Sequence, residues 1–127
     1  MKVRGTIAVL VGAAVLLGSC AHAGYRVVVL NDSPTISLVR FSAGAEFADI
    51  VFESPSGVMG AARQGTGEFE GSVEFLTDNC EVVASTTLQA VGDVLMEVAP
   101  DLRVQSTKFD PQERVGLLTE TDRCVRR

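Results

Sequence analysis

Carboxylates are the most abundant reactive side chains in this 127-residue chain, which carries 16 Asp and Glu against 11 Lys and Arg. Glu68, Glu70 and Glu74 fall at even intervals. On an extended strand that puts all three on one face, with near neighbours about 6–7 Å apart. The spacing overlaps the carboxyl separation of glycoside hydrolysis. A working pair also needs one acid held protonated in a cleft, whereas these alternate outward like a solvated face. The usual general base is scarce, since His22 is the only histidine. Neither G-x-S-x-G nor S-x-x-K is present to activate a serine, and no D-x-D-x-D-G loop offers a calcium site. Residues 54–67 (SPSGVMGAARQGTG) are glycine-rich, but no Lys-Ser/Thr follows them and Arg63 lies inside the run, unlike a phosphate-binding loop. A pI near 4.8 leaves no basic surface for nucleic acid. The expectation is a non-enzymatic protein without cofactor or metal.

The elements that carry these residues read as strands. With 46% apolar and 21% charged residues the chain has ordinary globular composition. Residues 25–30 (YRVVVL) form a first β-rich run, stopped by Asn31-Asp32-Ser33-Pro34. A second run, 35–42, changes its apolar phase between Leu38 and Val39, which predicts a bulge. In 47–53 the alternation sets Ala48, Ile50 and Phe52 on one face and Phe47, Asp49 and Val51 on the other. The stretch 54–67 reads as a long loop with a helical turn around 58–63, and loops of that length are often functional. Residues 68–77 alternate cleanly, with Phe69, Val73 and Phe75 inward. After a turn at Asp78-Asn79, Cys80, Val82 and Ala84 share a face, and β-branching at Thr86-Thr87 keeps 86–91 from reading as helix. Val94, Met96 and Val98 mark a further strand, followed by 102–107 and 115–119. About eight strands at roughly ten-residue spacing predict a small antiparallel β-sandwich of immunoglobulin-like architecture, with a closed β-barrel as the alternative. No Trp is present, so only the architecture is implied.

The N-terminus reads as an address. Lys2 and Arg4 precede an uncharged apolar run, 7–17, too short to span a bilayer and fitted to a secretory signal. Leu17-Gly18-Ser19-Cys20 resembles the lipobox of bacterial lipoproteins. The resemblance implies cleavage after residue 19, acylation of Cys20 (palmitate or a similar chain) and a single β domain over 20–127. The alternative is a cut after Ala23, at Ala21-His22-Ala23, releasing a soluble secreted or periplasmic domain. Either cut removes Lys2 and Arg4 and takes the formal charge from −5 to −7. Either also leaves Cys80 and Cys124 as an even pair, which an oxidising compartment joins. A disulfide there would pin the C-terminus, whose Arg123, Arg126 and Arg127 read as a solvated basic tail.

The chain as a whole is similar to small exported envelope lipoproteins, which pair a lipobox with a disulfide-bearing β domain. The expected function is a lipid-anchored binding or structural module at the cell membrane or outer envelope, contacting an envelope protein or glycan. Val58, Met59, Arg63, Glu68, Glu70 and Glu74 are its expected contact residues. A small-molecule carrier or sensor is the alternative, marked by an enclosed apolar cavity above about 300 Å³.

Overall fold

The computed structural model describes residues 24–44, 48–110 and 114–126; the expected signal segment and Cys20, together with Phe47 and Arg127, lie outside the described residues. Nine strands follow in chain order: β1 (Gly24–Asn31), β2 (Leu38–Ser42), β3 (Ile50–Glu53), β4 (Met59–Thr66), β5 (Phe69–Leu76), β6 (Val82–Ala90), β7 (Gly92–Val98), β8 (Val104–Lys108) and β9 (Glu120–Thr121). They form two sheets, β4-β1-β7-β8 and β6-β5-β2-β3-β9, packed as a sandwich. Among the described residues there is no helix and no closed barrel. Every strand pair is antiparallel except β1 with β7, which run parallel from Tyr25–Gly92 to Asn31–Val98.

Alternation builds the core as the sequence predicts. Val27 and Val29 from one sheet meet Val39, Phe41, Val73 and Phe75 from the other, with Met96 and Val98 beside them. Phe41 packs edge-on against both Phe52 and Phe69, at centroid distances of 5.9 and 5.8 Å. Such pairs add about 0.5–1.5 kcal/mol each beyond the area they bury.

Three expectations about local structure are corrected. The stretch 54–67 is not a long loop with a helical turn, because residues 59–66 are strand β4, hydrogen-bonded along β1. Small side chains disguise it. A Cβ on Gly60 would lie 2.7 Å from Leu118 Cδ2, so the glycine admits a neighbouring chain segment that any larger residue would displace. The phase change at Leu38-Val39 is no bulge, since β2 pairs without a register shift to both β3 and β5. Its two faces are simply both buried: Val39 and Phe41 in the main core, Leu38 under the C-terminal residues Cys124 and Val125. The bulges lie instead at Val27/Val28 against β4 and at Phe75/Leu76 against β6, and the second removes Cys80, Val82 and Ala84 from a shared face. Cys80 stands before the strand, in a turn where its amide donates to the Thr77 carbonyl at 3.0 Å.

The predicted strand 115–119 is a crossing segment. Ala61 of β4 donates to the Gly116 carbonyl at 2.7 Å, and Leu118 donates back to the Ala61 carbonyl at 3.0 Å. At the next residue, Glu53 of β3 donates to the Thr119 carbonyl at 2.8 Å. One short segment thus passes from the edge of the first sheet to the edge of the second and covers both. The strand expected over 102–107 starts only at Val104, because Leu102 takes a left-handed turn with φ 72°.

The buried Asn31 fastens the turns at the opposite end from Gly24. Its Nδ2 donates to the carbonyls of Ile36 (2.9 Å) and Ser54 (2.7 Å), and its Oδ1 accepts from the Ser33 amide at 2.9 Å. Two turns, after β1 and after β3, therefore share one side chain. Asn31→Ala strands two buried acceptors and a donor, and is expected to cost about 2–3 kcal/mol, or roughly 10 °C in Tm. A thermal melt within a degree or two of the parent would contradict this role.

Candidate functional site

The sequence-predicted contact residues do not form one surface. Val58 and Met59 are exposed at the start of β4. Glu68 is exposed between β4 and β5, and Glu70 is exposed on β5. Glu74 shares the face of Glu70, yet it is not part of a solvated acidic strip. It lies 2.9 Å from both Nε and NH2 of Arg40, whose side chain is only 6% exposed.

Glu74 and Arg40 belong to an ion cluster on the outer face of the second sheet. Register places it: Arg40 of β2 stands opposite Glu74 of β5 and opposite Val51 of β3. Just before β3, Asp49 accepts from Ser42 Oγ at 2.6 Å and from the Arg126 backbone and Nε, each at 2.9 Å. Arg126 also reaches Glu74 at 3.1 Å, and Arg40 NH1 donates to the Cys124 carbonyl at 2.9 Å. Two arginines of the expected solvated tail are therefore paired, though each stays about half exposed, and Arg127 lies outside the described residues. Arg126 is spent on this cluster, and Arg123 pairs with Asp78 beside the disulfide turn. With two arginines and two carboxylates, the cluster is balanced and its acceptors are occupied. It holds the C-terminus down and offers no free acid for chemistry.

The predicted disulfide is present. Cys80 and Cys124 are bridged across 44 positions of sequence, with Cα atoms 5.4 Å apart. It holds the tail against Leu38, Val51 and Leu76, all fully buried on the outer face of the sheet.

The residue that the fold does bring into a distinctive setting is Arg63. The β1–β4 bulge leaves Ala62 unpaired and sets Arg63 opposite Val27, a core residue. An edge-strand arginine is thereby turned between the sheets. Its guanidinium carbon lies 5.8 Å from the centroid of the Phe69 ring, a cation–π arrangement. Its Nε is buried and finds no hydrogen-bond partner among the described residues. Arg63 is common to two half-open clefts. One, about 320 Å³, runs past Phe52, Leu118, Gln64 and Glu120; the other, about 380 Å³, is walled by Phe41, Phe69, Ile50, Ala43 and Ala48. Sequence reasoning named Arg63 but could not see the bulge that turns it inward. It gave no site role to Arg40 or Asp49, although each is a lone charge among apolar residues.

Among the described residues no three of His, Cys, Asp or Glu converge as a metal site requires, and no helix is long and apolar enough to cross a membrane. No protein-family model matches the chain, and no curated protein and no solved structure matches it.

Hydrogen bonds from the Arg126 side chain hold the Asp49 carboxyl well below the usual carboxylate range, more than burial raises it, and the Ser42 hydroxyl adds to the lowering. A depressed carboxylate stabilises the fold above its unfolded pKa of about 3.9, and that contribution is lost as pH falls toward the folded value. Arg126 is half exposed, so solvent screens the pair and Asp49→Asn is expected to cost about 1–3 kcal/mol at neutral pH. The deficit should shrink steadily below pH 4. Urea titrations showing an equal deficit at pH 7 and at about pH 2.5 would contradict this assignment.

Proposed function

We propose that this chain is an exported, lipid-anchored β-sandwich that works as a non-enzymatic binding module at the cell envelope. The Cys80–Cys124 bridge carries the reading, because such cross-links persist in oxidising compartments. The lipobox-like Leu17-Gly18-Ser19-Cys20 supports it, since β1 begins at Gly24, four residues beyond the proposed anchor. The domain would then stand directly on the membrane, with no linker between. Acyl chains contribute about 0.8 kcal/mol per buried methylene, and two or more give stable anchoring.

The proposed contact surface is the β4 edge. Val58, Met59 and Leu117 are exposed apolar side chains along it or beside it, and Leu117 is 76% exposed. Glu68 and Glu70 lie apart from this surface, and Glu74 is engaged by Arg40. A partner protein or glycan of the envelope is the proposed occupant. The clefts at Arg63 favour a second reading, a small-molecule binder, although they open at the sandwich rim and are not enclosed.

Mass spectrometry of the mature N-terminus tests the anchor. The expected result is an acylated Cys20 as the first residue, with Cys20→Ala moving the protein out of the membrane fraction. An unmodified Gly24 terminus would contradict the anchor.

A further inference from the structure

We propose that the cleft between Arg63, Phe41 and Phe69 binds an amphipathic carboxylate, its acid group on the Arg63 guanidinium and its apolar tail against Ile50, Ala43 and Ala48. The inference gives the proposed binding module a ligand class and does not depend on the lipid anchor.

Three observations converge on this cleft. The first is a cation with no counter-charge among the described residues. Guanidinium is always charged and presents five N–H donors. Arg63 Nε is shut off from solvent with no acceptor among the described residues, and Arg63 forms no ion pair with them. The other partly buried arginines behave differently: Arg26 is clamped by Asp93 through two hydrogen bonds, and Arg40 by Glu74 and the Cys124 carbonyl. Phe69 steadies the Arg63 charge from one face, and a ring accepts no bidentate pair of hydrogen bonds. A carboxylate does, since its two oxygens match the guanidinium fork.

The second is the wall. Phe41, Phe69, Ile50, Ala43 and Ala48 are apolar, and no acidic side chain lines this cleft among the described residues. Glu120 lines only the neighbouring cleft. At about 380 Å³ the space lies within the range of small-molecule sites, so it suits a ring or short chain carried on one charged head. An uncharged apolar ligand would leave the arginine unmatched, and a bare anion would leave the apolar side of the cleft at Ile50, Ala43 and Ala48 uncovered.

The third is location. Arg63 stands opposite Val27, only three residues from Gly24 along β1, and Phe69 opposite Ala90 opens β5 at the same end of the sandwich. Three strand residues span about 10 Å. The cleft therefore lies at the end from which the chain leads back toward Cys20, where acids from a bilayer or from solution can both arrive.

The test follows the Arg63 Nε–H resonance by ¹⁵N–¹H NMR in the mature protein with its disulfide intact. 3-Phenylpropionate is titrated alongside 3-phenylpropanol and acetate, which supply the tail and the head separately. Phenylpropionate is expected to shift and saturate the Arg63 signal at least about tenfold more tightly than either control. Arg63→Met should abolish that preference, and Arg63→Lys should restore it only in part. An unmoved Arg63 signal up to millimolar acid would overturn the proposal, as would equal binding of acid and alcohol. Both readouts use the unsubstituted protein, so they hold even if a variant fails to fold. Phosphatidylcholine vesicles with and without oleate separate the sources: a shift with oleate vesicles marks delivery from the bilayer, and a shift with phenylpropionate alone marks capture from solution. An acylated Cys20 with no binding would sink this inference alone. Binding by a protein whose terminus is an unmodified Gly24 would sink the anchor alone.

Discussion

The C-terminal strap over the second sheet is the constraint on which the rest of this structure depends. Leu38, Val51 and Leu76 project from the outer face of that sheet and are nevertheless fully buried. Burying such side chains is worth about 1.5–3 kcal/mol each, and residues 122–126 provide the cover. A strap of this length has little core of its own, so it must be held. The disulfide fixes Cys124 to the β5–β6 turn, Arg40 grips the Cys124 carbonyl from below, and Arg126 is locked to Asp49 beyond it. Both half-cystines occupy the left-handed region, at φ 67° and 63°, which an L residue adopts at a cost of about 1–2 kcal/mol. The cross-link, worth roughly 4 kcal/mol on the loop-entropy model, is large enough to sustain that cost.

The same tail that covers one sheet face also closes one side of the sandwich. Before reaching the strap, residues 116–121 bond first to β4 and then to β3, and so protect two sheet edges that would otherwise offer unpaired amides. This closure stops short of the sandwich end. There the β4 bulge turns Arg63 inward and the two clefts open on either side of it. An inward-pointing charge is itself a known protection of edge strands. In this molecule the charge also lies on an aromatic wall with room beside it, and that combination gives a structural position a binding chemistry.

Much of the fold is legible in the sequence, and the illegible parts share a cause. Where one face is buried and the other wet, as in Val94-Met96-Val98 of β7 and Phe69-Val73-Phe75 of β5, alternation identifies the strand and its inner face. Where a second layer covers the outer face, alternation is lost: β2 is buried on both sides, and the phase change at Leu38-Val39 mimics a bulge. Where two chain segments touch closely, side chains become small, so Gly60-Ala61-Ala62 reads as loop although it is strand. The disulfide could be read from cysteine parity because it needs only two residues and a compartment. The ion cluster could not, since Arg40, Asp49, Glu74 and Arg126 meet only once strand register is known. Arg63 lies between these cases: the residue stands out in the sequence, while its inward orientation depends on one extra residue in β4.

The central claim is that the disulfide and the Arg40 contact hold the strap as one unit, and a double-mutant cycle tests it most directly. Urea stability would be measured for the parent, for Arg40→Met, for Cys80→Ala with Cys124→Ala, and for the combination. If the strap is one unit, losing the cross-link frees the Cys124 carbonyl, and Arg40→Met then costs at least about 1 kcal/mol less than in the parent. Costs that add to within about 0.5 kcal/mol would show that the two fastenings act separately, and would contradict the account.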